Sequence, residues 1–85
     1  MTHLTTPEFW DCYHQLPPDV RKLADKNFQL LKLDPRHPSL HFKKVGNVWS
    51  VRVGREYRAL ADEENGEFTW FWIGPHDEYE RLISS

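Results

Sequence analysis

The chain reads as an α+β domain. An N-terminal helical hairpin packs on a three- or four-stranded antiparallel sheet, and a short C-terminal helix follows. Three observations predict it. Apolar residues recur at helical spacing through residue 31, then at period two from residue 48 onward. Prolines punctuate the change, at Pro17-Pro18 and again at Pro35 and Pro38. Four Trp, three Tyr and five Phe among 85 residues let so short a chain bury a core without disulfides. No repeat, low-complexity tract or linker divides it, so residues 1–85 are expected to form one domain.

Thr6-Pro7-Glu8 has the chemistry of a helix start: a capping hydroxyl, a proline suited to the first turn, and an acid facing the positive end of the helix dipole. Phe9, Trp10, Tyr13 and Leu16 then form an apolar stripe, and Pro17-Pro18 stops this helix and opens a second. Val20, Leu23, Ala24, Phe28, Leu30 and Leu31 give the second helix its buried face. Leu40–Val45 is expected as a strand, Gly46-Asn47 as a turn, and Val48–Val53 as a strand with Trp49, Val51 and Val53 opposite Ser50 and Arg52. Tyr57–Ala61 is a third strand and Asp62–Gly66 a hairpin loop. Phe68–Ile73, apolar on both faces, should be a central strand, with Phe68, Trp70 and Trp72 on one face and Phe71 and Ile73 on the other. His76–Ile83 closes the chain as a helix after Gly74-Pro75, and all the helices are expected on one face of the sheet.

Composition excludes several classes. One cysteine, Cys12, permits neither a disulfide framework nor a four-thiolate zinc site. No apolar run is long enough to span a membrane, and Met1-Thr2-His3-Leu4 lacks the start of a secretion signal, so the cytoplasm is the expected compartment. The net charge of −2 hides a division along the chain. Residues 1–40 balance. Residues 41–58 carry Lys43, Lys44, Arg52, Arg55 and Arg58 against Glu56 alone. Residues 59–85 carry only Arg81 against Asp62, Glu63, Glu64, Glu67, Asp77, Glu78 and Glu80. A basic segment in an acidic chain suits one phosphate better than a long nucleic acid, which requires many neutralised phosphates.

No metal ligand set emerges. His37 and His41 are separated by the helix-breaking Pro38, and Cys12 and His14 are two apart on a helix and so face different ways. Neither a nucleophile elbow nor a glycine-rich phosphate loop is present. What remains is Arg52 and Arg58 on adjoining strands, His76 just past a central strand, and Tyr79 one helical turn later. Two guanidinium groups can converge on an anion, a histidine moves a proton near neutral pH, and a tyrosine orients or donates. In the purely structural alternative, Arg52 and Arg58 pair with Glu56 or Asp62, and His76 caps a helix.

Leu16-Pro17-Pro18-Asp19-Val20, Asp34-Pro35-Arg36-His37-Pro38, Trp49-Ser50-Val51-Arg52-Val53-Gly54 and Glu56-Tyr57-Arg58-Ala59-Leu60 together resemble the RelE/ParE superfamily of type II toxins. The resemblance runs from about Pro7 to Ile83 and favours the RelE-like branch. It implies a toxin held by a cognate antitoxin protein. RelE-like members cut messenger RNA on the ribosome by attack of the ribose 2′-oxygen, without a metal or other cofactor. By that resemblance Arg52, Arg58, His76 and Tyr79 are the catalytic candidates: two arginines at the scissile phosphate, a histidine as acid or base, and an aromatic that stacks on a base. Lys43, Lys44 and Arg55 are substrate-binding candidates. The family's opening strand should be very short or missing here. Two departures stand out: Ser50 occupies a position that is basic in ribosome-dependent cutters, and Asp77-Glu78 and Glu80 replace a basic C-terminal cluster. A ParE-like inhibitor of DNA gyrase and a non-toxic RelE-fold binding module therefore remain as alternatives.

Overall fold

The computed structural model describes residues 1–84. Its order is β1 (Thr2–Thr5), α1 (Pro7–His14), α2 (Pro18–Leu33), a 3₁₀ turn (Pro38–Leu40), β2 (Lys43–Val45), β3 (Val48–Val53), β4 (Tyr57–Glu64), β5 (Glu67–Pro75) and α3 (His76–Ser84). The five strands form one sheet in the order β1-β5-β4-β3-β2. β2 to β5 make the expected antiparallel meander, and β1 joins β5 in parallel, so the sheet is mixed.

The opening strand is present and short, at four residues. It is held by more than its ladder: Trp70 Nε1 donates to His3 Nδ1 at 3.0 Å, and Thr6 N donates to Trp70 O at 3.0 Å. Thr6 then caps α1, accepting from Phe9 N at 3.1 Å, with Pro7 in the first turn as its chemistry dictates. Pro18 likewise opens α2. Leu16, Leu31 and Leu40 complete the core that α1 and α2 make with Val51, Val53, Ala59, Ala61, Phe68, Trp70 and Ile73. The two helices splay over an apolar cleft of about 120 Å³ whose floor includes Val51, Val53 and Ala59. Tyr13 Oη spans them by donating to Asp25 Oδ1 at 2.8 Å. Phe28, expected on the buried face, is instead 37% exposed, with its ring edge on His3 and Lys32 Nζ above it.

Four further expectations are corrected. The strand drawn from Leu40 begins only at Lys43, because Pro38 opens a 3₁₀ turn that drives Leu40 to full burial and leaves His41 left-handed at φ 45°. The hairpin loop shrinks to Asn65-Gly66, both at positive φ, which is the two-residue turn that matches strand twist and allows Asp62–Glu64 to pair with Glu67–Thr69. In β5, Leu60 pairs with Trp72 but Ala61 with Trp70, so Phe71 is a bulge. One extra residue inverts the alternation, placing Ile73 with Phe68 and Trp70 in the helix-side core and Trp72 on the opposite face. Finally, the helices do not share one face. α1 and α2 cover one side, while α3 lies on the other, against the ends of β4 and β5. There Leu60 and Tyr79 are buried outside the main core.

Two predictions follow from this packing. Gly54, at φ +66°, lies so close to α2 that an added Cβ would sit 2.8 Å from Leu23 Cδ2. Gly54→Ala should therefore cost about 1–2 kcal/mol, chiefly from the left-handed backbone, since the Leu23 methyl can move aside, and an unchanged urea midpoint would contradict that strain. For His3, burial first, then the N-terminal ammonium and Lys32, holds the imidazole below its ordinary value of 6.5. Its Nδ1 is an acceptor in the native state, so the unfolded chain binds more protons just below that value. Stability is thus complete above 6.5 and falls as pH drops toward the lowered native value. Urea midpoints should decline across that window, and His3→Gln should flatten the decline.

Candidate functional site

Register brings the arginines together. Arg52 and Arg58 are direct partners across β3 and β4, and both project from the face opposite Val51, Val53 and Ala59. Directly opposed Cα atoms lie about 5 Å apart, so two guanidinium groups share one patch of sheet. Neither makes an ion pair among the described residues, and the alternative pairing with Glu56 or Asp62 is not observed. Arg58 Nη1 donates to Tyr57 O at 2.8 Å. Arg52 Nη1 lies 3.4 Å from His41 Nε2, and Arg52 Nε is buried without a hydrogen-bond partner. Burial, then the neighbouring Arg52 charge, lowers the Arg58 pKa, while Tyr79 and Glu80 act the other way. Two facing cations with spare N–H donors and no carboxylate between them have the chemistry to accept an oxyanion.

α3 supplies the rest of the site. His76 N donates to Glu56 O at 2.7 Å, which ties the start of the helix to the β3–β4 turn. His76 Nε2 lies 3.1 Å from Glu80 Oε1, one helical turn on. The Tyr79 ring touches both neighbours: the Arg58 guanidinium carbon lies 5.8 Å from its centroid, and the His76 ring centroid is also 5.8 Å away. At 6% exposure, Tyr79 is a buried support for Arg58 rather than an open stacking surface. The four residues singled out in sequence thus form one continuous cluster.

The basic residues around them divide. Lys43 pairs with the buried Ser50 and lies on the arginine face, whereas Lys44 pairs with Trp49 and lies on the helix-side face. Arg55 is exposed in the β3–β4 turn. Sequence reasoning missed two neighbours. His41 reaches Arg52 only because its backbone turns left-handed, which no spacing reveals. Trp72 joins this face only through the Phe71 bulge, and its ring occupies the space where a Cβ on Gly74 would stand, 2.5 Å from Trp72 Cζ2. His37 is used locally, its Nδ1 accepting from Ser39 N at 3.2 Å as a cap for the 3₁₀ turn. Among the described residues no three His, Cys, Asp or Glu side chains gather as a metal site would require. No helix among them is long and apolar enough to cross a membrane.

Comparison with solved structures finds this fold in bacterial and archaeal toxins. The chain superposes on the RelB–RelE antitoxin–toxin complex of Methanococcus jannaschii with TM-score 0.73 and 16% identity, covering 93% of this chain and 96% of that one. The YoeB/ParE toxin of Agrobacterium tumefaciens gives TM-score 0.65 and 15% identity, over 89% and 99% of the two chains. A mutant of the Escherichia coli toxin RelE in the free state gives 0.68 and 12%, over 95% and 88%. At such identities the superpositions show a shared fold alone. Among curated proteins, 32 residues are 44% identical to cytoplasmic dynein light chain 1 of Saccharomyces cerevisiae, a match covering 38% of this chain and only 35% of that relative. The family model described as the ParE-like toxin domain matches residues 18–81, most of the chain and all of the site from Arg52 to Tyr79. The chain belongs to the ParE-like toxin domain family, within the RelE/ParE superfamily.

Proposed function

We propose that this chain is the toxin of a type II toxin–antitoxin pair, and that it acts as an endoribonuclease cutting messenger RNA on the ribosome. The observation that carries the reading is the opposed Arg52–Arg58 pair, free of carboxylate partners and joined through Tyr79 to His76. Arg52 and Arg58 grip the scissile phosphate and stabilise the charge that builds on it as the ribose 2′-oxygen attacks. Tyr79 holds Arg58 in place. His76, backed by Glu80, passes a proton to the departing 5′-oxygen. Lys43, on the same face, adds charge along the RNA backbone. The partner is a small antitoxin protein, for which the exposed Leu4, Trp10, Phe28 and Leu33 provide apolar contact. The RelB–RelE complex among the structural neighbours supports that assignment.

The test is a reconstituted translation reaction on a defined messenger, with 3′ ends mapped by primer extension. Wild type should produce ribosome-dependent cuts. Arg58→Ala and His76→Ala should each reduce cutting by about tenfold or more while keeping the fold. A folded Arg58→Ala protein with full activity would remove that arginine from the mechanism. An intact messenger with wild-type protein would overturn the nuclease reading, and a gyrase supercoiling assay would then separate a gyrase-directed toxin from a binding module without toxicity.

A further inference from the structure

We propose that His41 is the general base of this site and works opposite His76 as general acid; the inference rests on the endoribonuclease reading above. The cluster forms a row. His41 contacts Arg52 at 3.4 Å, Arg52 faces Arg58, Arg58 lies over Tyr79, and Tyr79 touches His76. The two histidines therefore end the row, His41 beside Arg52 and His76 on the Arg58 side, and a phosphate held by both arginines would lie between them.

Their hydrogen bonds differ in sense. A guanidinium has N–H donors and no acceptor, so a hydrogen bond from Arg52 requires His41 Nε2 to present its lone pair. At the other end, His76 Nε2 faces the Glu80 carboxylate, which only accepts, so this nitrogen carries hydrogen. One imidazole is arranged to take a proton and the other to give one. His41 is also exposed, and it holds a left-handed backbone (φ 45°, ψ 43°) that a non-glycine residue adopts at some cost. That conformation is what brings it from the 3₁₀ turn to Arg52.

In the step itself, the 2′-oxygen bonds to phosphorus as the bond from phosphorus to the 5′-oxygen breaks. The 2′-hydroxyl proton passes to His41 Nε2, released when the incoming phosphate takes over the Arg52 N–H. The His76 imidazolium, its Nε2–H held by Glu80, gives the Nδ1 proton to the departing 5′-oxygen. The products are a 2′,3′-cyclic phosphate and a 5′-hydroxyl, with the two histidines left in exchanged protonation states.

A sulfur-for-oxygen substitution at the leaving position distinguishes the two roles, because a thiolate departs without being protonated. The substrate is the messenger whose cut site was mapped above, synthesised with sulfur at the bridging 5′ position of that step. His41→Asn keeps a residue tolerant of the left-handed region and an oxygen to accept from Arg52, but it takes up no proton. It should cut about 100-fold more slowly or worse on both messengers, with an unchanged melting temperature. His41→Ala should behave alike. His76→Ala should recover on the sulfur-linked messenger. Wild-type rates for folded His41→Asn would overturn the inference and leave the nuclease reading standing. Recovery of His41→Asn on the sulfur-linked messenger would make His41 an acid and overturn it equally. Absence of cutting by wild type on the unmodified messenger would overturn both.

Discussion

The pairing of β4 with β5 is the constraint on which the molecule depends. β5 lies between β1 and β4, buries Phe68, Trp70 and Ile73 beneath the helices, and runs without a loop into α3. The Phe71 bulge lets one strand serve two purposes. Before it, alternation sends the large aromatics to the core; after it, Trp72 and Gly74 face the arginine side while Ile73 keeps the core sealed. Because Arg58 pairs with Gly74, which has no side chain, the space beside it on that face is taken by the Trp72 ring. The ladder that builds the core also sets where α3 begins, and so where His76 and Tyr79 lie relative to Arg58.

The electrostatic arrangement on that face is costly for the free protein and suited to binding. Two guanidinium groups on directly opposed strand positions repel, and the Arg52 charge, after burial, lowers the Arg58 pKa. In a chain that carries more acids than bases, carboxylates were available to offset this, yet none lies within ion-pair distance of either arginine among the described residues. Tyr79 compensates in part, since a ring face attracts a cation without occupying its hydrogen-bond donors. Apart from the Arg58 bond to Tyr57 O and the Arg52 contact with His41, the donors are left open, and an anion seated between the arginines would relieve their repulsion.

Sequence patterning reached most of this and missed the rest for identifiable reasons. Thr6, Pro7 and Pro18 act locally, so their helix starts were legible from chemistry alone. The alternation in Val48–Val53 placed Arg52 away from the core, and the register then put Arg58 beside it. β1 has four residues and no period to detect; what docks it is a hydrogen bond from Trp70, 67 positions away. The Phe71 bulge was illegible because the residues around it, from Trp70 to Ile73, are all apolar or aromatic, and parity cannot be read where both faces are apolar. His41 depended on a left-handed backbone that Pro38 and the 3₁₀ turn create, which lies beyond any spacing rule.

The acidic end of the chain, set against the basic cluster that the family resemblance led one to expect, has a local explanation. Asp77 and Glu78 occupy the first turn of α3, where the exposed N–H groups and the helix dipole favour negative charge, and Asp77 Oδ1 accepts from Glu78 N at 3.1 Å. Glu80 is engaged with His76 and also favours the charged form of Arg58. These three acids stabilise the start of a helix and polarise the histidine beside it. Their net charge is therefore a poor guide to the field at the arginine pair, which is set by groups within a few ångströms. At physiological ionic strength the Debye length is about 8 Å, so the exposed acids of the β4–β5 hairpin act on a distant phosphate only weakly, while Arg52 and Arg58 act on a bound one directly. A small acidic protein can hold a strongly cationic site when the sheet register, rather than the overall composition, decides which charges face one another.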